Sequence, residues 1–127
     1  MVTVSSVLVA EDDAFIRRVV EVALRRSGLE VRSVVDGLEL LEAVETAVPD
    51  LVIVDGMMPR LDGIEACRRL KADPRFAHLP VIVLSARSHE LDEKAAREAG
   101  AIGYIVKPFN ANTLAARVRE ICEALPG

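Results

Sequence analysis

Asp55 follows Leu51-Val52-Ile53-Val54, four apolar residues of which three are β-branched. Such a run reads as a buried strand, and its first polar residue stands at the carboxyl end. Gly56 leaves room beside it, Pro59 ends the ladder, and Asp62-Gly63 is a turn or helix-start signal. Three further apolar runs end in groups of comparable interest. Glu11-Asp12-Asp13 follows the run over 6–10, Ser85 follows 81–84, and Lys107-Pro108 follows 102–106. If these ends share one rim, carboxylates, a hydroxyl and an ammonium converge. Clustered carboxylates raise one another's pKa values unless a cation relieves the repulsion. A hard divalent ion with oxygen ligands is the natural partner, and Mg²⁺ fits best because it keeps waters and needs only one or two carboxylates. Asp55 could then act as a nucleophile toward phosphorus, with Lys107 as a second positive charge and Ser85 as a neutral donor to the phosphoryl oxygens. Any one of these features alone is ordinary: an acidic triplet before a helix is usually a cap and a solvated first turn. Their coincidence at strand ends is what carries the reading.

The elements that must position these residues alternate along the chain. Strands are expected at about Ser6–Ala10, Leu29–Val35, Leu51–Val54, Val81–Leu84 and Ile102–Val106. Helices are expected at about Ala14–Ser27, Leu38–Thr46 (Leu41 and Val44 inward), Ile64–Ala72 and His89–Ala99, with a fifth from an Asn110 cap to about Leu125. Glu30 and Arg32 alternate with apolar residues, so the second strand is expected at an edge. Strand–helix alternation of this kind means a parallel sheet covered by helices on both faces. Ligands in that architecture sit beyond the carboxyl ends of the strands. Asp36-Gly37, after the second strand, reads as an ordinary turn, and Asp13 as the cap of the first helix.

Composition agrees with one α/β domain over residues 1–127, with a core of Val, Leu, Ile and Ala. The chain is 51% hydrophobic and holds one Tyr, three Phe and no Trp. A net charge of −4 with 28% charged residues argues against direct nucleic-acid binding. No apolar run is long enough to insert in a membrane, and the first residues lack a secretory pattern, so a cytoplasmic location is expected. Cys67 and Cys122 fall on apolar helical positions and read as core thiols. His78 reads as a surface loop residue, His89 as a cap or solvated position near the rim. Arg60, Lys71, Arg68 and Arg69 read as surface charges.

Glu11-Asp12-Asp13, Asp55-Gly56-Met57-Met58-Pro59 with Asp62-Gly63, Ser85-Ala86, and Tyr104 followed by Lys107-Pro108-Phe109 resemble the receiver domain of two-component response regulators. The resemblance covers essentially the whole chain. It implies a flavodoxin-like, doubly wound (βα)5 three-layer sandwich with strand order 2-1-3-4-5. It implies that Asp55 takes a phosphoryl group from the phosphohistidine of a sensor histidine kinase or a histidine phosphotransfer protein. Asp12, Asp55 and the Met57 carbonyl would bind Mg²⁺, with Mn²⁺ as a substitute, and Glu11 would act through water. Ser85 and Lys107 would hold the phosphoryl oxygens, and Ser85 and Tyr104 would form the switch. The domain would be a phosphoacceptor, not an enzyme, that assists its own Mg²⁺-dependent phosphorylation and dephosphorylation. Its output surface would be the fourth helix, fifth strand and fifth helix, serving a downstream effector, an output domain or a phosphorylation-dependent homodimer. Met57 and Arg87 would flank the path of the hydrolytic water. Strand alternation puts Tyr104 on one face with Ile102 and Val106, looking outward toward a fourth helix whose apolar stripe is only Leu91, Ala95 and Ala99.

The resemblance departs in Glu11 for the common Asp, Ser85 for the commoner Thr, and Ala14 for Pro, none of which removes a functional group. Other classes fit less well. A flavodoxin would need a hydroxyl- and amide-rich phosphate loop where the acidic triplet stands. A haloacid-dehalogenase-type phosphatase needs Asp-x-Asp at its first strand. A topoisomerase–primase-type enzyme needs Asp-x-Asp where Asp55-Gly56-Met57 stands.

Overall fold

The computed structural model describes residues 4–86 and 90–124, with residues 90 and 91 described by backbone alone. Ten elements alternate strictly: β1 Ser6–Ala10, α1 Ala14–Arg26, β2 Glu30–Val34, α2 Gly37–Thr46, β3 Leu51–Asp55, α3 Gly63–Ala72, β4 Val81–Ser85, α4 Glu90–Glu98, β5 Gly103–Val106 and α5 Leu114–Glu123. The strands form one sheet in the order β2-β1-β3-β4-β5, as expected, and every pairing is parallel. β2 is an edge strand.

Alternation along the central strands divides the core into two layers. Leu8, Ala10, Val52, Val54, Val81, Val83 and Tyr104 point to the face covered by α2, α3 and α4. Val7, Val9, Leu51, Ile53, Ile82, Leu84 and Ile105 point to the face covered by α1 and α5. Near-continuous apolar runs are what strands buried on both faces require. The helices do not contribute equally. α1 and α5 bury Val20, Leu24, Leu114, Val118 and Cys122, whereas of the described side chains of α4 only Ala96 is buried, with Ala99 just past its end. A methyl removes far less apolar area from water than a leucine, at about 0.8 kcal/mol per buried carbon group. Beyond Leu91, outside the described side chains, the stripe expected through Ala95 is centred on Ala96 instead.

Three other expectations shift. Leu40, not Leu41, is the fully buried leucine of α2, and Leu41 packs at the margin. Asn110 heads a turn over 111–113, accepting the Asn112 and Thr113 N–H groups, and α5 begins only at Leu114. Tyr104 is buried, 6% exposed, in the layer under α4. Ile102 precedes β5 and packs with the opposite layer, so strand alternation does not extend to it. His89 and Arg87 lie outside the described residues.

Loop ends are fixed by side-chain caps. Asp13 Oδ1 accepts the N–H groups of Phe15 and Ile16, as expected, and Asp62 Oδ1 accepts that of Glu65 at the start of α3. Gly63 is the tightest point. A Cβ there would lie 2.1 Å from the backbone oxygen of Asp55, while its N–H donates to Gly56 O at 3.1 Å. At Gly56 a Cβ would meet nothing closer than Val83 Cγ1 at 3.5 Å. Gly63→Ala should therefore cost about 1–3 kcal/mol or more in chemical denaturation, and Gly56→Ala well under that. Equal losses at the two positions would contradict this packing.

Candidate functional site

A charged residue closes β3 and another directly follows each of β1 and β5, and the register of the sheet brings the three ends together. Glu11 follows β1 and its backbone N–H donates to Val34 O of β2 at 3.1 Å. Its carboxylate is fully buried. Asp55 closes β3, with Oδ1 accepting the Met57 N–H at 3.1 Å. Lys107 follows β5, and its N–H donates to Ser85 O of β4 at 2.7 Å, which keeps the β5 extension in line. The Lys107 ammonium then reaches between the two acids, 2.7 Å from Glu11 Oε1 and 3.2 Å from Asp55 Oδ2. Its side chain is 13% exposed.

The third acid, Asp12, is exposed at the mouth. Carboxylate oxygens of Glu11, Asp12 and Asp55 all lie within 4.8 Å of one another. Three carboxylates face one ammonium, so the cluster keeps an excess of negative charge when fully ionised. Hard oxygen donors at this spacing fit a divalent cation, and the uncompensated charge supplies the attraction. Burial pushes the Glu11 carboxyl up to about 7, aided by its hydrogen bond with Asp55 and only partly opposed by Lys107. Burial alone would depress Lys107, but the hydrogen bond to Glu11 and the charges of Asp55 and Glu11 outweigh it and hold the ammonium above its ordinary range.

Beside the acids opens a cavity of about 580 Å³ lined by Asp12, Met57, Arg68, Ser85, Asp92 and Tyr104, among others. Ser85 is buried and Met57 is 55% exposed. Glu11, Asp12, Asp55, Met57, Ser85, Tyr104 and Lys107 thus all lie in the charged cluster or on this cavity, while Arg87 lies outside the described residues.

Other residues contribute in ways the sequence did not signal. Arg17 Nη1 donates to Glu11 O at 2.9 Å and fixes the start of the acidic triplet. Asp36, expected in an ordinary turn, is buried, caps α2 through Glu39 N–H, and pairs with Arg60. Arg60 is therefore not a simple surface charge. Neither is Lys71, whose ammonium donates to the carbonyls of Ala77 and Leu79. Arg68 and Arg69 are exposed as expected, as is His78. Cys67 and Cys122 are buried free thiols, and burial pushes Cys67 up to about 11.

The response regulator receiver domain model matches residues 7–119. The chain belongs to this family. It is 43% identical over 115 residues to the transcriptional regulatory protein CseB of Streptomyces avermitilis, covering 91% of this chain and 48% of that protein. Among solved structures, a putative response regulator from Chloroflexus aurantiacus superposes with a TM-score of 0.89 at 33% identity, covering 95% of this chain and 99% of that one. The chemotaxis response regulator CheY4 of Vibrio cholerae gives 0.87 at 29% identity, covering 94% and 99%. The receiver chain spans about half the length of the curated relatives it matches. It is thus a phosphoacceptor signalling domain of a two-component system, a class phosphorylated by histidine kinases. Among the described residues no helix is long and apolar enough to cross a membrane.

An acid whose pKa in the folded state exceeds its ordinary 4.5 binds more protons folded than unfolded. Metal-free protein should therefore be most stabilised by Glu11 below pH 4.5, lose that contribution as pH rises to about 7, and gain nothing further above. Denaturation in chelator across this range checks it: Glu11→Gln should remove the fall. A wild-type contribution that rises with pH and vanishes in the variant would contradict it.

Proposed function

We propose that Asp55 is the phosphoacceptor and that the three acids hold the divalent cation this requires. The observation that carries the reading is the buried Asp55 carboxylate, salt-bridged to Lys107 within the cluster of Glu11 and Asp12. Asp12, Asp55 and the Met57 carbonyl would hold Mg²⁺ or Mn²⁺, with Glu11 acting through water. That ion supplies charge neutralisation for the transferring phosphoryl group. The Asp55 carboxylate is held by the Met57 N–H and by Lys107, so its direction is set before a donor arrives. An Asp55 oxygen forms the new O–P bond as the N–P bond of a phosphohistidine breaks, and the electron pair leaves with the imidazole nitrogen. Lys107 and Ser85 would receive the phosphoryl oxygens, the first by charge and the second by its hydroxyl. The donor is a sensor histidine kinase or a histidine phosphotransfer protein.

Ser85 and Tyr104 line the same cavity, which supports reading them as the switch. Phosphorylation would draw Ser85 toward the new oxygens and favour the buried arrangement of Tyr104. Among the described side chains α4 is anchored by Ala96, with Ala99 just past its end, which supports reading it as the element that repacks. The output surface is then α4, β5 and α5, and the partner an effector, an output domain or a second copy of the chain. The relatives' greater length and their names as transcriptional regulators support an output domain. We read residues 1–127 as one cytoplasmic receiver unit that does not itself bind nucleic acid.

Incubation with acetyl phosphate and Mg²⁺ followed by mass spectrometry tests the acceptor. A base-labile gain of about 80 Da, one phosphoryl group, is expected on Asp55 and absent from Asp55→Asn. Lys107→Met should slow its appearance by about 10²–10³-fold. A wild-type rate of modification in Asp55→Asn would defeat the assignment. For the switch, NMR with and without beryllofluoride, a phosphoryl mimic, should show shifts reaching from the rim into residues 90–106. Shifts confined to the acids and their immediate neighbours would count against it.

A further inference from the structure

The loop between β3 and α3 carries Met57 and leads back to Gly63, and it is held at its far side by one ion pair. Arg60 Nε and Nη2 lie 2.8 and 2.6 Å from Asp36 Oδ2, while Asp36 Oδ1 accepts the Glu39 N–H at 2.9 Å. One carboxylate thus caps α2 with one oxygen and grips the loop with the other. Asp36 is 5% exposed and the Arg60 side chain 54%, so a buried carboxylate anchors a guanidinium whose other side is open to water. Arg60 adopts φ +67°, the left-handed region that a side chain other than glycine rarely takes. Next to it, a Cβ on Gly37 would lie 2.4 Å from Leu61 O, so the loop backbone rests directly on the first turn of α2. On its other side, Asp36 stands two residues beyond Val34, whose carbonyl holds the Glu11 N–H.

We propose that Asp36 and Arg60 are positioning residues for the divalent-cation pocket. Their ion pair ties the loop bearing Met57 to the strand end that holds Glu11, across from Asp55. The inference rests on reading Glu11, Asp12, Asp55 and the Met57 carbonyl as that pocket. Neither residue touches the acids, so they act on the ligands through the backbone, as supporting partners of metal ligands do.

Two substitutions separate this role from capping, from backbone strain and from simple charge. Asp36→Asn keeps a side chain that caps a helix well while losing the charge that holds Arg60. Arg60→Gly removes the ion pair and also relieves the positive φ, so the protein should stay folded with an unfolding midpoint close to the parent's. A long-range field effect predicts opposite signs, because removing a cation favours Mg²⁺ and removing an anion disfavours it. Positioning predicts the same sign for both.

Mg²⁺ binding measured by titration calorimetry on the wild type, the two single variants and the double variant decides the matter. Each single variant should bind Mg²⁺ about tenfold more weakly. The double variant should be little worse than either, since both break one contact. Arg60→Lys should recover part of the loss. Folded Arg60→Gly protein that binds Mg²⁺ as tightly as the wild type, or more tightly, overturns the inference and leaves the pocket standing. Wild-type protein that fails to bind Mg²⁺ overturns both.

Discussion

Everything at the rim depends on one ammonium placed between two buried acids. Lys107 reaches Glu11 and Asp55 from the end of an outer strand, past β4, to residues that close β1 and β3. Withdrawing these charges from water is costly, and among the described residues every buried side-chain nitrogen and oxygen has a hydrogen-bond partner. Asp13 N–H donates to Glu11, Met57 N–H to Asp55, and Arg17 holds the Glu11 carbonyl. The balance is nonetheless incomplete. With Asp12 the cluster has more negative than positive charge, and that residue of charge is the chemical property a divalent cation and a phosphoryl group both need.

Such placement requires a scaffold that does not yield. The five-stranded sheet is buried on both faces, and its central strands carry unbroken apolar runs whose alternate residues fill two separate layers. α1 and α5 hold their layer with leucines and valines. Among the described side chains α4 packs its part with Ala96, and Ala99 just past its end, in the layer of Tyr104 and beside the cavity. Under the proposed switch, the acids are fixed by the well-packed strands, and a change at Ser85 is felt under the more lightly packed described part of α4. That gradient is what a receiver needs, since a switch must have one element whose two arrangements differ little in free energy.

Much of this was legible in the chain because its cues are local. Apolar runs, glycine and proline punctuation and the polar residue after each run mark the element order, with bounds within a residue or two except at the start of α5. The resemblance carried by those residues supplied the strand order, which no local cue contains. What escaped is tertiary. Asp36 and Arg60 lie 24 positions apart, and neither has a neighbour that announces a partner. Lys71 looked like a surface charge because its stem packing and carbonyl acceptors belong to another loop. Helical periodicity could not choose between Leu40 and Leu41, which differ by one position on a helix whose apolar face is broad. Tyr104 lies on the expected face, in the layer under α4, but alternation fails at Ile102, which precedes β5 and packs with the opposite layer.

The claim that excess buried charge makes the rim a cation site has a direct thermodynamic signature. Mg²⁺ binding requires ionised carboxylates, so near pH 6, where Glu11 is still largely protonated, binding should expel protons. Calorimetric titration in buffers of different ionisation enthalpy measures that release. The account predicts proton release near pH 6 that fades above pH 7 and disappears in Glu11→Gln. Mg²⁺ binding with no proton release at any pH between 5 and 7 would contradict it.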